Sequence, residues 1–239
     1  MTKWLDRTEL LLGKEALEKL KSKHVLVVGL GGVGAYAAEQ ICRAGIGEMT
    51  IVDADVVDET NINRQLIALT STIGNPKTEL LKDRLLQINP HLKLHVIQEF
   101  IKDESTEELL NRSSYDYVLD AIDTLSPKVF LISKVLQKQY PLISAMGAGG
   151  KLDPALIQVV DIKKTFQCKL AFTVRKRLHH LGIRSGFKAV FSPEVVPDHA
   201  VVIDSQPSMN KLSVVGTISY MPAMFGCHMA AEVIKDLIK

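Results

Sequence analysis

Five groups of residues in the first half of the chain have the types and the order needed to handle a nucleoside triphosphate. The first is Gly29-Leu30-Gly31-Gly32-Val33-Gly34, whose small residues let backbone N–H groups and a helix amino terminus approach phosphates closely. Asp53 follows where a ribose-binding acid belongs, with Asp55 two residues on. Then come Asn61-Ile62-Asn63-Arg64-Gln65 and Pro76-Lys77, and later Asp120-Ala121-Ile122-Asp123. A glycine turn and an acid alone would point to a nicotinamide dehydrogenase. The amides, Arg64 and Lys77 downstream point instead to a triphosphate, because two cations can offset charge moving onto the β- and γ-phosphates. The turn lacks the Gly-Lys-Ser/Thr ending of a P-loop, so that route to phosphate binding is closed.

A second set of charges lies further on. Residues 162–193 hold Lys163, Lys164, Lys169, Arg175, Lys176, Arg177, Arg184 and Lys188 and no acid. Such a tract can neutralise nucleic-acid phosphates, and Lys169, Arg175, Lys176, Arg177 and Lys188 are the candidate contacts; a solvated helix face is the alternative. The whole chain carries 29 Lys and Arg against 27 Asp and Glu, so global charge decides nothing. His179 and His180 have no metal-ligand spacing. Cys42, Cys168 and Cys227 are odd in number and form no Cys-x-x-Cys pair, which excludes a disulfide scaffold and a four-cysteine zinc site.

Positioning the first set needs an open α/β fold of the Rossmann type: a mostly parallel sheet, helices on both faces, and a carboxy-terminal extension. Residues 24–28 read as an apolar strand running into the glycine turn, and the helix after it carries Val33, Ala37, Ala38, Ile41 and Cys42 on one face. Strands over 49–52, 94–97, 117–119 and 142–145 alternate with helices over 78–88, 104–110 and 128–139, as parallel crossovers require. Residues 157–160 fit an antiparallel edge strand. Residues 9–21 read as a leading helix broken near Gly13, and 193–209, with three prolines, as a long loop. Two segments result: 1–160, a nucleotide-binding domain with its leading helix, and 161–239, a basic substrate segment packed on the same domain. The amino terminus has no apolar signal core, so the expected location is cytoplasmic. Residues 212–231 are uncharged but diluted by polar residues, and read as a buried strand or helix with no membrane partner.

Taken together, the five motifs resemble the ubiquitin-activating-enzyme-like adenylation family that includes ThiF and MoeB. That resemblance, over about residues 5–150, implies ATP and Mg²⁺ as cofactors, with Gly29, Gly31, Gly32, Gly34, Asp53, Asp55, Asn61, Arg64, Gln65, Lys77 and Asp123 around the nucleotide. It implies Arg7, Arg64, Lys77 and Asp123 as catalytic residues, with Asp123 beside the metal and Arg7 reaching across a homodimer. The zinc-binding cysteine pairs and transfer cysteine of many carrier-activating members are missing. The chain is more similar to the tRNA threonylcarbamoyladenosine dehydratase branch, through Thr8-Glu9-x-Leu11-x-Gly13, Gln87-Ile88-Asn89-Pro90, residues 117–123, Ala148-Gly149-Gly150-Lys151-x-Asp153-Pro154 and Gly216-Thr217-Ile218-Ser219. This implies tRNA bearing threonylcarbamoyladenosine as substrate, cyclised with loss of water through an acyl-adenylate, and admits a sulfur-relay protein as a partner. The rival readings are adenylation of a ubiquitin-like sulfur carrier, a nicotinamide dehydrogenase and a non-catalytic nucleotide-dependent binding module.

Overall fold

The structure is a computed structural model that describes residues 3–203 and 213–239. Two short helices lead, α1 (Asp6–Leu12) and α2 (Lys14–Lys21), broken at Gly13, whose φ of 84° is left-handed. Strands β1 (His24–Val28), β2 (Glu48–Val52), β3 (Lys93–Ile97), β4 (Tyr117–Asp120) and β5 (Leu142–Ala145) then alternate with α3 (Gly34–Arg43), α4 (Lys77–Ile88), α5 (Asp103–Asn111) and α6 (Leu125–Gln137). Beyond them come β6 (Gln158–Asp161), α7 (Lys169–His180), β7 (Lys188–Phe191), the small pair β8 (Val201–Ile203) and β9 (Ser213–Val215), and α8 (Tyr220–Leu237).

Seven strands form one sheet in the order β3-β2-β1-β4-β5-β7-β6, parallel throughout except for the β6–β7 pair. The strand order reverses between β1 and β4, and in such sheets the crevice beyond the strand carboxyl ends at that point receives ligands. Every residue of β1 is buried, as a central parallel strand with helices on both faces demands. Its side chains alternate between two cores. Val25 and Val27 pack with Ala38, Ile41, Leu81, Phe225 and Met229 of α3, α4 and α8, while Leu26 and Val28 pack with Leu109, Leu131, Ile132 and Val174 of α5, α6 and α7.

The expected elements of the first 145 residues form, with ends shifted by a few residues, and β6 is an antiparallel edge strand. Two elements lie beyond the placed elements of the sequence reading: a helix over the basic tract, given there only as an alternative, and a strand with no counterpart. α7 carries half of the basic residues of the tract, burying Ala171, Val174 and Leu178 beneath it, and β7 enters the sheet between β5 and β6. The boundary drawn at residue 160 therefore falls inside β6, and the segment beyond it completes the same sheet. The long loop expected over 193–209 contains a helical turn at Asp198–Ala200 and then β8, with 204–209 outside the described residues. Residues 213–231 give β9 and most of α8. Among the described residues no helix is long and apolar enough to cross a membrane.

Candidate active site

β1 ends in the glycine turn because the backbone needs there what only glycine supplies. Gly29 has φ 91° and lies so close to the β4 turn that a Cβ would stand 2.8 Å from the carbonyl oxygen of Ala121. At Gly34 a Cβ would be 1.8 Å from the carbonyl oxygen of Gly29, so any side chain would force the turn apart. Gly32 faces Arg64 and Pro222, while Gly31 is open apart from the Gln65 amide. The turn thus packs its back against β4 and α8 and leaves its Gly31 side toward the loop over residues 58–65.

At the end of β2, Asp53 joins this turn to the next loop. Its Oδ2 accepts the Leu30 N–H at 2.5 Å and its Oδ1 accepts the Asp55 N–H at 2.8 Å. The Leu30 N–H is therefore engaged by a carboxylate and not turned outward. Burial raises the pKa of Asp53, opposed by the nearby Lys77 charge and by those two N–H donors. Lys77, in the first turn of α4, is 4% exposed, and its Nζ donates to Asp55 Oδ2 at 2.7 Å. A buried ammonium is held beside two acids at the strand ends, where it meets whatever enters the crevice.

The loop bearing Asn61 and Arg64 is built on Asp58, whose Oδ1 accepts the Thr60 N–H at 2.8 Å. Asn61 is buried and returns its Oδ1 to the Asp58 N–H at 3.3 Å. Arg64 Nη1 donates to the Thr60 carbonyl and to Asn63 Oδ1, both at 2.7 Å, which aligns its stem along Gly32. Gln65 is 9% exposed and its Oε1 is buried without a hydrogen-bond partner. An unsatisfied amide oxygen beside the glycine turn is costly, and a bound donor would relieve it. Asn63 Nδ2 also donates to the Thr217 carbonyl at 2.9 Å, so the Gly216-Thr217 segment closes the same loop.

The turn after β4 carries Asp120 and Asp123, which fare differently. Asp120 is fully buried, with Lys128 Nζ and Ser144 Oγ each 2.6 Å from its Oδ2, and its Oδ1 accepts the Ile122 N–H at 3.1 Å. Asp123 is exposed at the end of that turn. The sequence reading named the two acids but not Lys128, whose signal was available: it shares a helical face with Leu131, Ile132 and Val135, all buried, and a lysine on such a stripe must find a buried partner. Glycine turn, Asp53, Asp55, Asn61, Arg64, Gln65, Lys77 and Asp123 all sit at the carboxyl ends of β1, β2 and β4 or on the loops leaving them.

Arg7 and Lys188 lie elsewhere. Arg7 is exposed on α1, and Leu5 just before it packs on Leu17 and Gly45, which precedes β2 at the amino ends of the strands. Lys188 opens β7 at that same end and pairs with Glu232 at 3.0 Å and Asp236 at 2.6 Å on α8. Lys169, Lys176 and Arg177 are exposed along α7, and Arg177 Nη1 donates to Ser126 Oγ at 2.8 Å, three residues beyond Asp123. Arg175 turns inward to Thr165. The basic set is thus divided: three residues on the α7 surface, one anchoring a loop, one holding α8. Burial pushes the Cys42 thiol up to about 12 and raises that of Cys227.

A doubly wound sheet that gathers a glycine turn, a part-buried acid, a loop-borne Arg and a helix-borne Lys at its switch point is an α/β protein with a candidate nucleotide site. The chain belongs to the ThiF family, which it matches over residues 5–239. It is 40% identical to the tRNA threonylcarbamoyladenosine dehydratase of Bacillus subtilis, across 98% of this chain and 94% of that one. The solved structure of Escherichia coli tRNA N6-threonylcarbamoyladenosine dehydratase in complex with ATP superposes with a TM-score of 0.89 at 34% identity, covering 100% of this chain and 96% of that one. Likeness to the molybdopterin-synthase adenylyltransferase of Salmonella typhimurium is 36% but spans only 54% of this chain and 51% of that protein.

Proposed function

We propose that this protein uses ATP to cyclise N6-threonylcarbamoyladenosine in tRNA with loss of one water. The observation that carries the reading is the extent of the likeness: to the Bacillus subtilis dehydratase it runs nearly end to end, α7, β7 and α8 included, whereas the carrier-protein adenylyltransferase matches about half the chain. In this reading the threonyl carboxylate attacks the α-phosphate of ATP, releasing pyrophosphate, and the carbamoyl group of the same modification then displaces AMP and closes the ring. Tethering of both reacting groups on one nucleoside makes an enzyme nucleophile unnecessary, in keeping with thiols raised by burial at Cys42 and Cys227.

The residues divide the work. Asp53 holds the ribose, and the open Gly31 side of the turn takes phosphate. Gln65 turns its amide nitrogen, a donor, toward the Gly31 side where phosphate is taken. Arg64 and Lys77 stabilise charge on the departing pyrophosphate. Asp123 is the group that would hold Mg²⁺: its exposed carboxylate suits a hard ion that takes one or two carboxylates and completes its shell with phosphate oxygens. When bound there, Mg²⁺ would supply neutralisation of phosphate charge. Arg7, remote from the crevice of its own chain, acts in that of a second copy, which makes the enzyme a homodimer with shared sites. Lys169, Lys176 and Arg177 on α7 bind tRNA phosphates beside the Asp123 turn. A cytoplasmic location is in keeping with a tRNA substrate.

Carrier-protein adenylation is the second reading, since it uses the same nucleotide residues. The two are separated by supplying Lys169→Glu, Lys176→Glu, Arg177→Glu protein with ATP and modified tRNA. The proposal expects tRNA affinity to fall at least tenfold with a shallower salt dependence while ATP binding is kept. Unchanged, salt-independent tRNA binding would remove α7 from the account.

A further inference from the structure

At the end of the sheet opposite the nucleotide crevice, three metal-ligating side chains converge. The register pairs His24 with Glu48 and Thr50 with His95, so strand alternation places all four on one face of β1, β2 and β3. One donor atom from each of His24, Glu48 and His95 lies within 4.8 Å of the other two. His24 Nδ1 is 3.4 Å from Glu48 Oε1 and His95 Nε2 is 2.8 Å from the same oxygen. A tetrahedral ion with ligands at about 2.0–2.1 Å needs donor separations of about 3.3 Å, so the first distance fits as it stands and the second needs a small opening.

The surroundings match a ligand set. His24 is buried, its ring lies 4.8 Å from that of Tyr115, and its Nε2 is hydrogen-bonded to Thr50 Oγ1 at 2.8 Å, which holds the other ring nitrogen toward Glu48. His95 and Glu48 are partly exposed, leaving one side open to solvent for the fourth ligand. A cation sits on the carboxylate: Lys93 Nζ is 2.9 Å from Glu48 Oε1, and its side chain is exposed enough to swing away.

From this convergence we infer that His24, Glu48 and His95 form a binding site for a zinc-class divalent ion, which clasps the amino ends of β1, β2 and β3. Two imidazoles and a carboxylate with one open position suit zinc in preference to magnesium or calcium. Lying at the far end of the strands, the ion takes no part in adenylation. It stabilises the folded chain by binding it alone.

The test is zinc titration of the full chain, stripped of metal, against a chromophoric chelator, in wild type, His95→Asn and Glu48→Gln. Both changes are at partly exposed positions, and ATP–pyrophosphate exchange by each variant reports an intact fold. The expected result is one zinc bound per chain at micromolar concentration, lost in both variants. Zinc at a hundredfold excess over its Kd should raise the wild-type melting temperature by about 5–10 °C and leave the variants unmoved. Magnesium should do nothing at this site. Failure of the wild type to bind at micromolar zinc would overturn the proposal. So would binding kept by either variant, since the ion would then sit on other histidines such as His179 and His180.

Discussion

Lys77 is buried, yet its partner Asp55 has a side chain 66% exposed, so the pair adds little stability, and the proposal assigns the ammonium to the nucleotide. Replacing it with methionine keeps the stem and removes the charge. ATP–pyrophosphate exchange by Lys77→Met should fall by about 10²–10³ with little change in the urea midpoint, the range found when one preorganised charge-stabilising donor is lost; equal activity would take Lys77 out of the mechanism. Lys128 shows the opposite pattern. Its ion pair with Asp120 is 0% exposed on both sides. Lys128→Met leaves a buried carboxylate uncompensated and should cost about 3–5 kcal/mol by urea denaturation, and adding Asp120→Asn should recover part of that. Sequence order alone made Asp53, Arg64 and Lys77 legible, because each follows a fixed strand or loop. The buried pair was not legible, because it is made by an apolar stripe on α6 meeting the end of β4.

The last helix, α8, is fastened to the sheet by Asp236, which accepts from Lys188 at 2.6 Å, from Tyr117 Oη at 2.9 Å and from Lys239 at 2.8 Å. Burial opposes ionisation of Asp236, but these donors outweigh it and lower its pKa to about 2. A carboxylate depressed in the folded state contributes stability above its unfolded pKa of about 3.9, and that contribution is lost as pH falls toward 2. Asp236→Asn should therefore lower stability at pH 7 by about 1–2 kcal/mol, after allowance for partial exposure, and flatten the stability profile between pH 4 and 2; an unchanged profile would show that the tie carries nothing. Helix α1 buries none of its residues, and Leu10 and Leu11 are 87% and 83% exposed. Apolar side chains so placed, on the helix that carries Arg7, fit the face of a second copy. If the proposed homodimer forms through this face, Leu10→Glu with Leu11→Glu should give monomers in light scattering and lower the exchange activity for which the proposal calls on a neighbour's Arg7. β7 escaped the sequence reading for a physical reason: it is four residues long, opens on a lysine, and takes its place between β5 and β6 out of chain order, where local periodicity holds no information.

For the molecule as a whole, one sheet has two working ends. Carboxyl ends of β1, β2 and β4 gather the glycine turn, the acids, Arg64 and Lys77; the amino ends hold the Lys188 cluster and the three ligands His24, Glu48 and His95. The fold class, and the gathering of most candidate nucleotide residues at one end of the sheet, could be read from motif order, because a doubly wound sheet turns sequence order into spatial adjacency at its switch point. The basic tract could not be assigned in the same way. Composition shows that charges are dense, and only α7 decides that Lys169, Lys176 and Arg177 face solvent while Arg175 and Lys188 are spent on internal ties. The central claim is that the adenylating crevice acts on a modified nucleoside in tRNA and not on a carrier protein. The measurement that tests it most directly is mass spectrometry of nucleosides from threonylcarbamoyl-modified tRNA incubated with the protein, ATP and Mg²⁺. An ATP-dependent loss of the mass of one water, absent with Lys77→Met, is the predicted result. An unchanged nucleoside mass from protein that still exchanges pyrophosphate would contradict the account.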